Sequence, residues 1–140
     1  MITGLHHINL VVPPGQLPAA TAFYADTLGL TPRDVPVLQR DTLAWFDIGS
    51  SGQQVHIAFG KPADFELTSS RHPCFRVESP DKLLQLRQRI WDHFEKGGEG
   101  APTAADKPGD EASGAKGVEY PQRFFARDFA GNRLEFSYVP

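Results

Sequence analysis

The sequence predicts an α+β fold in two tandem halves, and three observations lead there. Strand-like apolar runs alternate with two helical stretches, Gly and Pro clusters punctuate the chain between them, and the second half repeats the plan of the first. At 140 residues the chain suits one domain, able to bury roughly two thirds of its unfolded surface. The 14 Lys and Arg against 17 Asp and Glu leave a formal charge of −3 and no basic stripe, which argues against nucleic acid as a partner. A lone cysteine, Cys74, excludes an internal disulfide. No run approaches the roughly 18 apolar residues of a membrane span, and the N-terminus has neither a charged n-region nor a long apolar run. A soluble cytoplasmic protein without membrane partners is expected.

The first half opens with "GLHHINLVV", residues 4–12. Strand alternation puts Ile8, Leu10 and Val12 on the core face and His7, Asn9 and Val11 on the other, so His7 is the histidine with work to do and His6 reads as structural. Pro13-Pro14-Gly15 ends that strand. "LPAATAFYADTLGL" follows as a helix, with Pro18 in its first turn, Phe23, Tyr24 and Leu28 at helical spacing, and Gly29 as its C-terminal cap. "TLAWFDIG" and "QQVHIAFG" read as strands around the Ser50-Ser51-Gly52 loop, with one more strand near Asp34 to Leu38.

The second half starts with "HPCFRVE", a short strand opened by His72. Cys74 follows two residues later, on the same face by alternation or as a small buried residue. "SPDKLLQLRQRIWDHFEKGG" reads as a helix with Ser79 as N-cap, Pro80 in its first turn, His93 on its surface or at an interface, and Gly97 at its end. Residues of about 97–118, rich in Gly, Pro, Ala and charge, read as a flexible loop, either a solvated insertion or a lid over a ligand. "QRFFARDFAGNRLEFSYV" gives two strands around Asp128 to Asn132. One domain over 1–140 is expected, with module 1 at about 1–62 and module 2 at about 70–140.

Laying one half over the other brings "GQQVHIAF" onto "GNRLEFSY", so that a turn glycine precedes His56 in one and Glu135 in the other by four residues. Each half also opens with a histidine, His7 and then His72. The two spans differ, 49 residues against 63, and the loop after Gly97 absorbs the excess. Four potential metal ligands thus occupy two equivalent positions in two copies.

These stretches, with "AFYADTLGL", "RHPCFRVES" and "RDFAGNRLEF", resemble the vicinal oxygen chelate superfamily, which includes glyoxalase I, fosfomycin resistance enzymes, extradiol dioxygenases and bleomycin-binding proteins. The last stretch resembles its D-x-x-G-N-R-x-E element. The resemblance implies the glyoxalase/dioxygenase fold, two tandem βαβββ modules forming an open barrel-like cleft. It also places metal ligands at His7, His56, His72 and Glu135, and gives Glu135 the catalytic part of moving a proton. Imidazoles and a carboxylate suit a divalent ion such as Zn, Ni, Fe(II), Mn or Co. Glu135 lies between Leu134 and Phe136 and needs a partner wherever it is enclosed, whether a cation or a salt bridge to Arg133 or Arg76. A histidine on a strand, taken alone, is more often a hydrogen-bonded structural residue than a ligand.

The expected activity is that of a glyoxalase-like lyase or isomerase, in which one ion holds two oxygens of a small organic carbonyl or aromatic substrate while a proton moves. By alternation Asn9, Val11, Trp45, Gln54, Cys74, Phe125 and Ser137 would line the cleft. Glyoxalase I holds the glutathione carboxylate with an arginine four residues after its first ligand; Val11 stands there in this chain, which argues against a methylglyoxal–glutathione substrate. Two alternatives stay open. One is a mononuclear Fe(II) dioxygenase of extradiol type using His7, His72 and Glu135 with His56 as acid or base, and the other is a metal-free drug-binding resistance protein. The resemblance implies a homodimer.

Overall fold

The computed structural model describes residues 1–113 and 122–140. Two four-stranded sheets stand side by side, each with one helix, in the order expected of paired βαβββ units. Module 1 runs β1 (His7–Val12), α1 (Leu17–Ala20), β2 (Thr31–Arg33), β3 (Leu43–Asp47) and β4 (Gln54–Phe59), with spatial order β1-β4-β3-β2. Module 2 runs β5 (Cys74–Arg76), α2 (Pro80–Lys96), β6 (Ala104–Ala105), β7 (Arg123–Arg127) and β8 (Arg133–Ser137), in the matching order β5-β8-β7-β6. In both, the first strand pairs parallel with the last, and the remaining pairs are antiparallel. No closed barrel forms among the described residues.

Alternation decides which face is core. Val12, Phe46, Val55 and Ile57 of the first sheet, and Phe124, Ala126, Leu134 and Phe136 of the second, are buried in one apolar cluster with Phe23, Tyr24, Leu83 and Ile90 of the helical segments. The opposite faces carry His7, Asn9 and His56 on one sheet and Cys74, Arg123 and Glu135 on the other, in register across the ladders.

Several sequence expectations change in detail. The helix after Pro18 switches to π winding over Thr21–Thr27, with the Leu28 amide reaching back to Phe23 O at 2.9 Å. The wider turn lets the neighbours Phe23 and Tyr24 both face the core. The extra strand of module 1 lies at Thr31–Arg33, not near Asp34 to Leu38, where Val37–Gln39 is a 3₁₀ turn. Pro36, which has no amide to donate to a sheet, opens that turn; Pro32 is tolerated because β2 is an edge strand. His72 stands before β5 rather than on it, since Pro73 follows and only its carbonyl bonds β8. Cys74 is exposed, not buried. His93 is half-buried, its ring between the Thr27 hydroxyl at 2.7 Å and the Glu99 carbonyl at 2.9 Å, so it ties helix to helix. Of the 97–118 segment, Ala104–Ala105 form the edge strand of module 2, and the part from 114 on lies outside the described residues.

The chain leaving α2 passes tightly over α1. A Cβ at Gly100, whose φ is +70°, would sit 2.4 Å from the Ala19 carbonyl oxygen. Gly100→Ala is therefore expected to cost more than about 2 kcal/mol, through left-handed strain and a clash with backbone that cannot swing away. Urea denaturation of the variant beside the parent would measure it, and an unchanged midpoint would contradict this packing.

Candidate metal centre

Module 1 gathers an aromatic and polar column on its open face. Pairing of β1, β4 and β3 places Asn9 and Trp45 on either side of His56. The His56 ring lies between Trp45, with centroids 4.6 Å apart, and His7, at 3.9 Å, each parallel to it within 13°. His56 Nε2 is 2.8 Å from Gln54 Oε1, and Gln54 Nε2 donates to Asp47 Oδ1 at 2.8 Å. Arg33 closes the chain with a 3.3 Å contact to Asp47. Burial, then the neighbouring His7 and His6, hold the His56 pKa below its ordinary value, so the neutral ring is favoured. The Gln54 hydrogen bond, with Arg33 beside it, holds Asp47 below the ordinary carboxylate range.

Module 2 builds the other part around Glu135, which is only 8% exposed. His72 Nε2 lies 3.0 Å from Glu135 Oε2, while Arg123 at 3.3 Å and the Ser137 hydroxyl at 3.1 Å donate to Oε1. Its partners are thus His72, Arg123 and Ser137, not Arg133 or Arg76. Burial is the largest single influence on this carboxyl and pushes its pKa up; the His72, Ser137 and Arg123 contacts together outweigh it and keep the group below the ordinary range. The Cys74 thiol donates to Ser137 at 3.3 Å, and partial desolvation of its sulfur pushes its pKa up. Phe125 is covered by Arg133, 4.4 Å from its centroid, and meets the edge of His72 at 5.5 Å.

The four ligand candidates therefore stand as two pairs, His7 with His56 and His72 with Glu135. Among the described residues no group of three or more His, Cys, Asp or Glu is arranged to hold an ion within one chain. A cavity of about 340 Å³ lies where the modules meet, lined by Asn9, Val11, Arg71, Asn132 and Arg133 among others, and by none of the four candidates. Of the other expected wall residues, Trp45 and Gln54 border His56 while Cys74, Phe125 and Ser137 border the His72–Glu135 pair.

The model of the Glyoxalase/Bleomycin resistance protein/Dioxygenase superfamily matches residues 4–136. The chain belongs to that superfamily. A glyoxalase-family protein from Bacillus anthracis is 24% identical, with a TM-score of 0.72 over 100% of this chain and 98% of the other. The fosfomycin resistance protein FosX of Listeria monocytogenes is 19% identical, with a TM-score of 0.71 over 100% and 94%. A FosX variant complexed with Mn(II) and 1S,2S-dihydroxypropylphosphonic acid gives 0.68 at 19% identity over 98% and 90%. TnmS3, an antibiotic-binding protein from Streptomyces sp. CB03234, gives 0.64 at 17% identity over 99% and 98%. At these identities the likeness establishes the fold. No curated protein matches the chain in sequence. No helix among the described residues is long and apolar enough to cross a membrane.

The superfamily includes metal-using members, and the module 2 pair fits a cation. His72 Nδ1 faces the Ser70 carbonyl at 2.6 Å, an acceptor, while Nε2 faces the Glu135 carboxylate, a second acceptor. A proton on Nδ1 donated to the Ser70 carbonyl leaves Nε2 as the ring nitrogen turned toward Glu135. Nε2 and Oε2 face each other at 3.0 Å, two donor atoms of the kinds that bind a divalent cation. Two ligand atoms each about 2.1 Å from one ion and at right angles are about 3.0 Å apart, the spacing found here. Sequence reasoning missed Arg123 as the partner of Glu135 and gave His6 no part beside His7. Pairing of Arg123 with Ser137 across β7 and β8, readable once the hairpin register is known, is the signal that would have found the arginine.

Proposed function

We propose that this chain acts in the cytoplasm, as a single domain over 1–140, as a metal-dependent enzyme of the glyoxalase type. It would be a lyase or isomerase for a small organic carbonyl or aromatic substrate that offers two oxygens to one divalent ion. The observation that carries the reading is Glu135, a nearly buried carboxylate on a strand, met at 3.0 Å by the Nε2 of His72 in a pair that a cation could bridge. Since His7 and His56 lie apart from His72 and Glu135 in one chain, the complete centre would form in a homodimer, each protomer lending its module 1 pair to its partner's module 2 pair.

A bound divalent ion supplies electrostatic stabilisation of charge developing on substrate oxygens. The chain's own groups divide the remaining work. Arg123 and Ser137 fix Glu135 through Oε1, which leaves Oε2 on the His72 side to hold or take up a proton. The contacts that keep Glu135 ionised also make it a weak base, so proton transfer is helped by any substrate that draws Arg123 away. Trp45 and Val11 give apolar surface on which a substrate ring or chain can rest.

Elemental analysis of the purified protein tests this. About one Zn, Ni, Fe, Mn or Co ion per chain is expected, with activity lost on chelation and restored by a divalent ion. Protein that carries no metal and gains no activity with any of the five would overturn the reading in favour of a metal-free binding protein. One feature favours a second reading, an Fe(II) dioxygenase: with His56 engaged by Gln54, two imidazoles and one carboxylate remain. Oxygen uptake by iron-loaded protein with an aromatic diol separates the two.

A further inference from the structure

The cavity where the modules meet has a fixed outer wall. Residues 61–71, which join the modules, form that wall, and three contacts hold them in place. A Cβ at Gly60 would come within 2.9 Å of both Phe65 and Val11, so only glycine lets these two side chains close over the end of β4. Leu67 rests on Gly131, which likewise has no room for a Cβ. Arg127 donates to the Gly131 and Ser69 carbonyls, each at 3.0 Å, and so straps the segment to the β7–β8 turn. The space left is about 340 Å³, enough for a small organic molecule.

Four charged side chains border this space. Asp64 and Glu66 come from the start of the joining segment, Arg71 from its end and Arg133 from β8. None of them is in an ion pair: among the described residues those pairs are Arg33 with Asp47, and His72 and Arg123 with Glu135. Opposite charges that share one cavity without meeting leave a place for a molecule between them. Arg133 is preset for such a molecule, because its guanidinium lies over the Phe125 ring, 4.4 Å from the centroid. A guanidinium held through its face keeps its N–H edge for a carboxylate. Asp64 keeps one oxygen as well, since only Oδ2 accepts the Lys61 amide, at 2.7 Å.

We propose that this cavity binds a small zwitterion with an apolar side chain, the chemistry of a free amino acid. Arg71 and Arg133 take the carboxylate, Asp64 and Glu66 take the ammonium group, and Phe65 and Val11 cover the hydrocarbon part. Two cations against two anions leave the cavity without net charge, so a simple anion or cation is attracted by one pair and repelled by the other. A molecule carrying both signs gains from both pairs. None of the four metal-ligand candidates lines the cavity, so the site stands apart from the metal-centre reading and does not rest on it. Asn132 also lines it and donates to Val11 O across the modules, so a bound molecule would brace the same joint.

Calorimetric titration of the purified protein with three probes tests this. L-Phenylalanine carries both charges, N-acetyl-L-phenylalanine only the negative one and L-phenylalaninamide only the positive one. L-Phenylalanine is expected to bind with a Kd of about 1 mM or tighter, and each of the other two at least about tenfold more weakly. Arg71→Gln and Glu66→Gln, both at exposed positions, are each expected to weaken L-phenylalanine about five- to tenfold, whereas Lys82→Gln, on exposed α2 surface, changes nothing. Equal binding of the N-acetyl form would mean that the carboxylates take no part and would overturn the proposal. So would affinity unchanged in both Arg71→Gln and Arg133→Gln, or no binding of L-phenylalanine at about 10 mM. Titration in the presence of EDTA separates this site from the metal centre: unchanged affinity is expected, and binding that requires a metal would end the inference.

Discussion

Asp128→Ala is expected to remove about 3–5 kcal/mol of folding stability, a large share of what a domain of this size has. The side chain has no exposed surface, and it accepts four hydrogen bonds. The Tyr24 hydroxyl donates at 2.6 Å and Asn132 Nδ2 at 2.9 Å to one oxygen, while the Ala130 and Asn132 amides donate at 2.9 Å to the other. Burial pushes this carboxyl's pKa up, and the four donors oppose that shift. Alanine would leave all four donors without their acceptor in a dry site, each at a cost of roughly 1–3 kcal/mol before relaxation. The damage would not stay local, because Asn132 Nδ2 also donates to Val11 O at 2.9 Å and so ties the β7–β8 turn to the strand that carries His7. Asp128→Asn keeps one carbonyl oxygen but turns an amide NH₂ toward Asn132 and is expected to cost about half as much. Tyr24→Phe, which removes one donor of four, is expected to cost about 1–2 kcal/mol. With a urea slope of about 2 kcal/mol/M, Asp128→Ala should lower the midpoint by about 2 M. A midpoint equal to the parent's would mean that this turn does not join the modules.

That joint marks the boundary of what could be read from the sequence. "RDFAGNRLEF" stood out as a motif because it resembles one, and its strands and turn lie where alternation and the Gly131 signal put them. Gly131 itself has φ +87°, and a Cβ there would meet Leu67 at 2.3 Å, so the glycine follows from local geometry. Asp128 does not, because its chief partner is Tyr24, 104 residues away, and only tertiary packing brings the two together. The same division holds at the site. Period-2 patterning suffices to put His7, His56 and Glu135 on the open faces, since Ile8, Val55, Ile57, Leu134 and Phe136 have nowhere else to go but inward. It cannot say that His56 stacks on His7, that Arg123 meets Glu135, or that a tandem pair of half-sites stays separate in one chain. The extra strand of module 1 lies a few residues earlier than the sequence suggests for a related reason: Val35, Val37 and Leu38 look strand-forming, but Pro36 turns the chain out of the ladder, leaving Leu38 exposed.

Separation of the half-sites leads to the prediction with the sharpest consequence for function. Glu135→Gln keeps the size and one acceptor of the side chain but removes its charge, and His7→Ala removes the other half's imidazole. Each variant alone is expected to bind metal more than a hundredfold more weakly than the parent, beyond the roughly 10–100-fold that loss of a supporting contact produces. If each centre joins His7 of one protomer to His72 and Glu135 of its partner, a heterodimer of the two variants contains one centre lacking both residues and one lacking neither. Co-expressed through two different tags and isolated as the mixed dimer, the variants should recover about half of the parent's metal and turnover. Were the four residues to meet within one chain, every centre in that dimer would carry one lesion and nothing would return. The restored fraction thus reports the geometry of the centre directly. Recovery near zero from a properly mixed dimer would remove the proposed composite site, and with it the role proposed for two incomplete sets of candidate ligands in one fold.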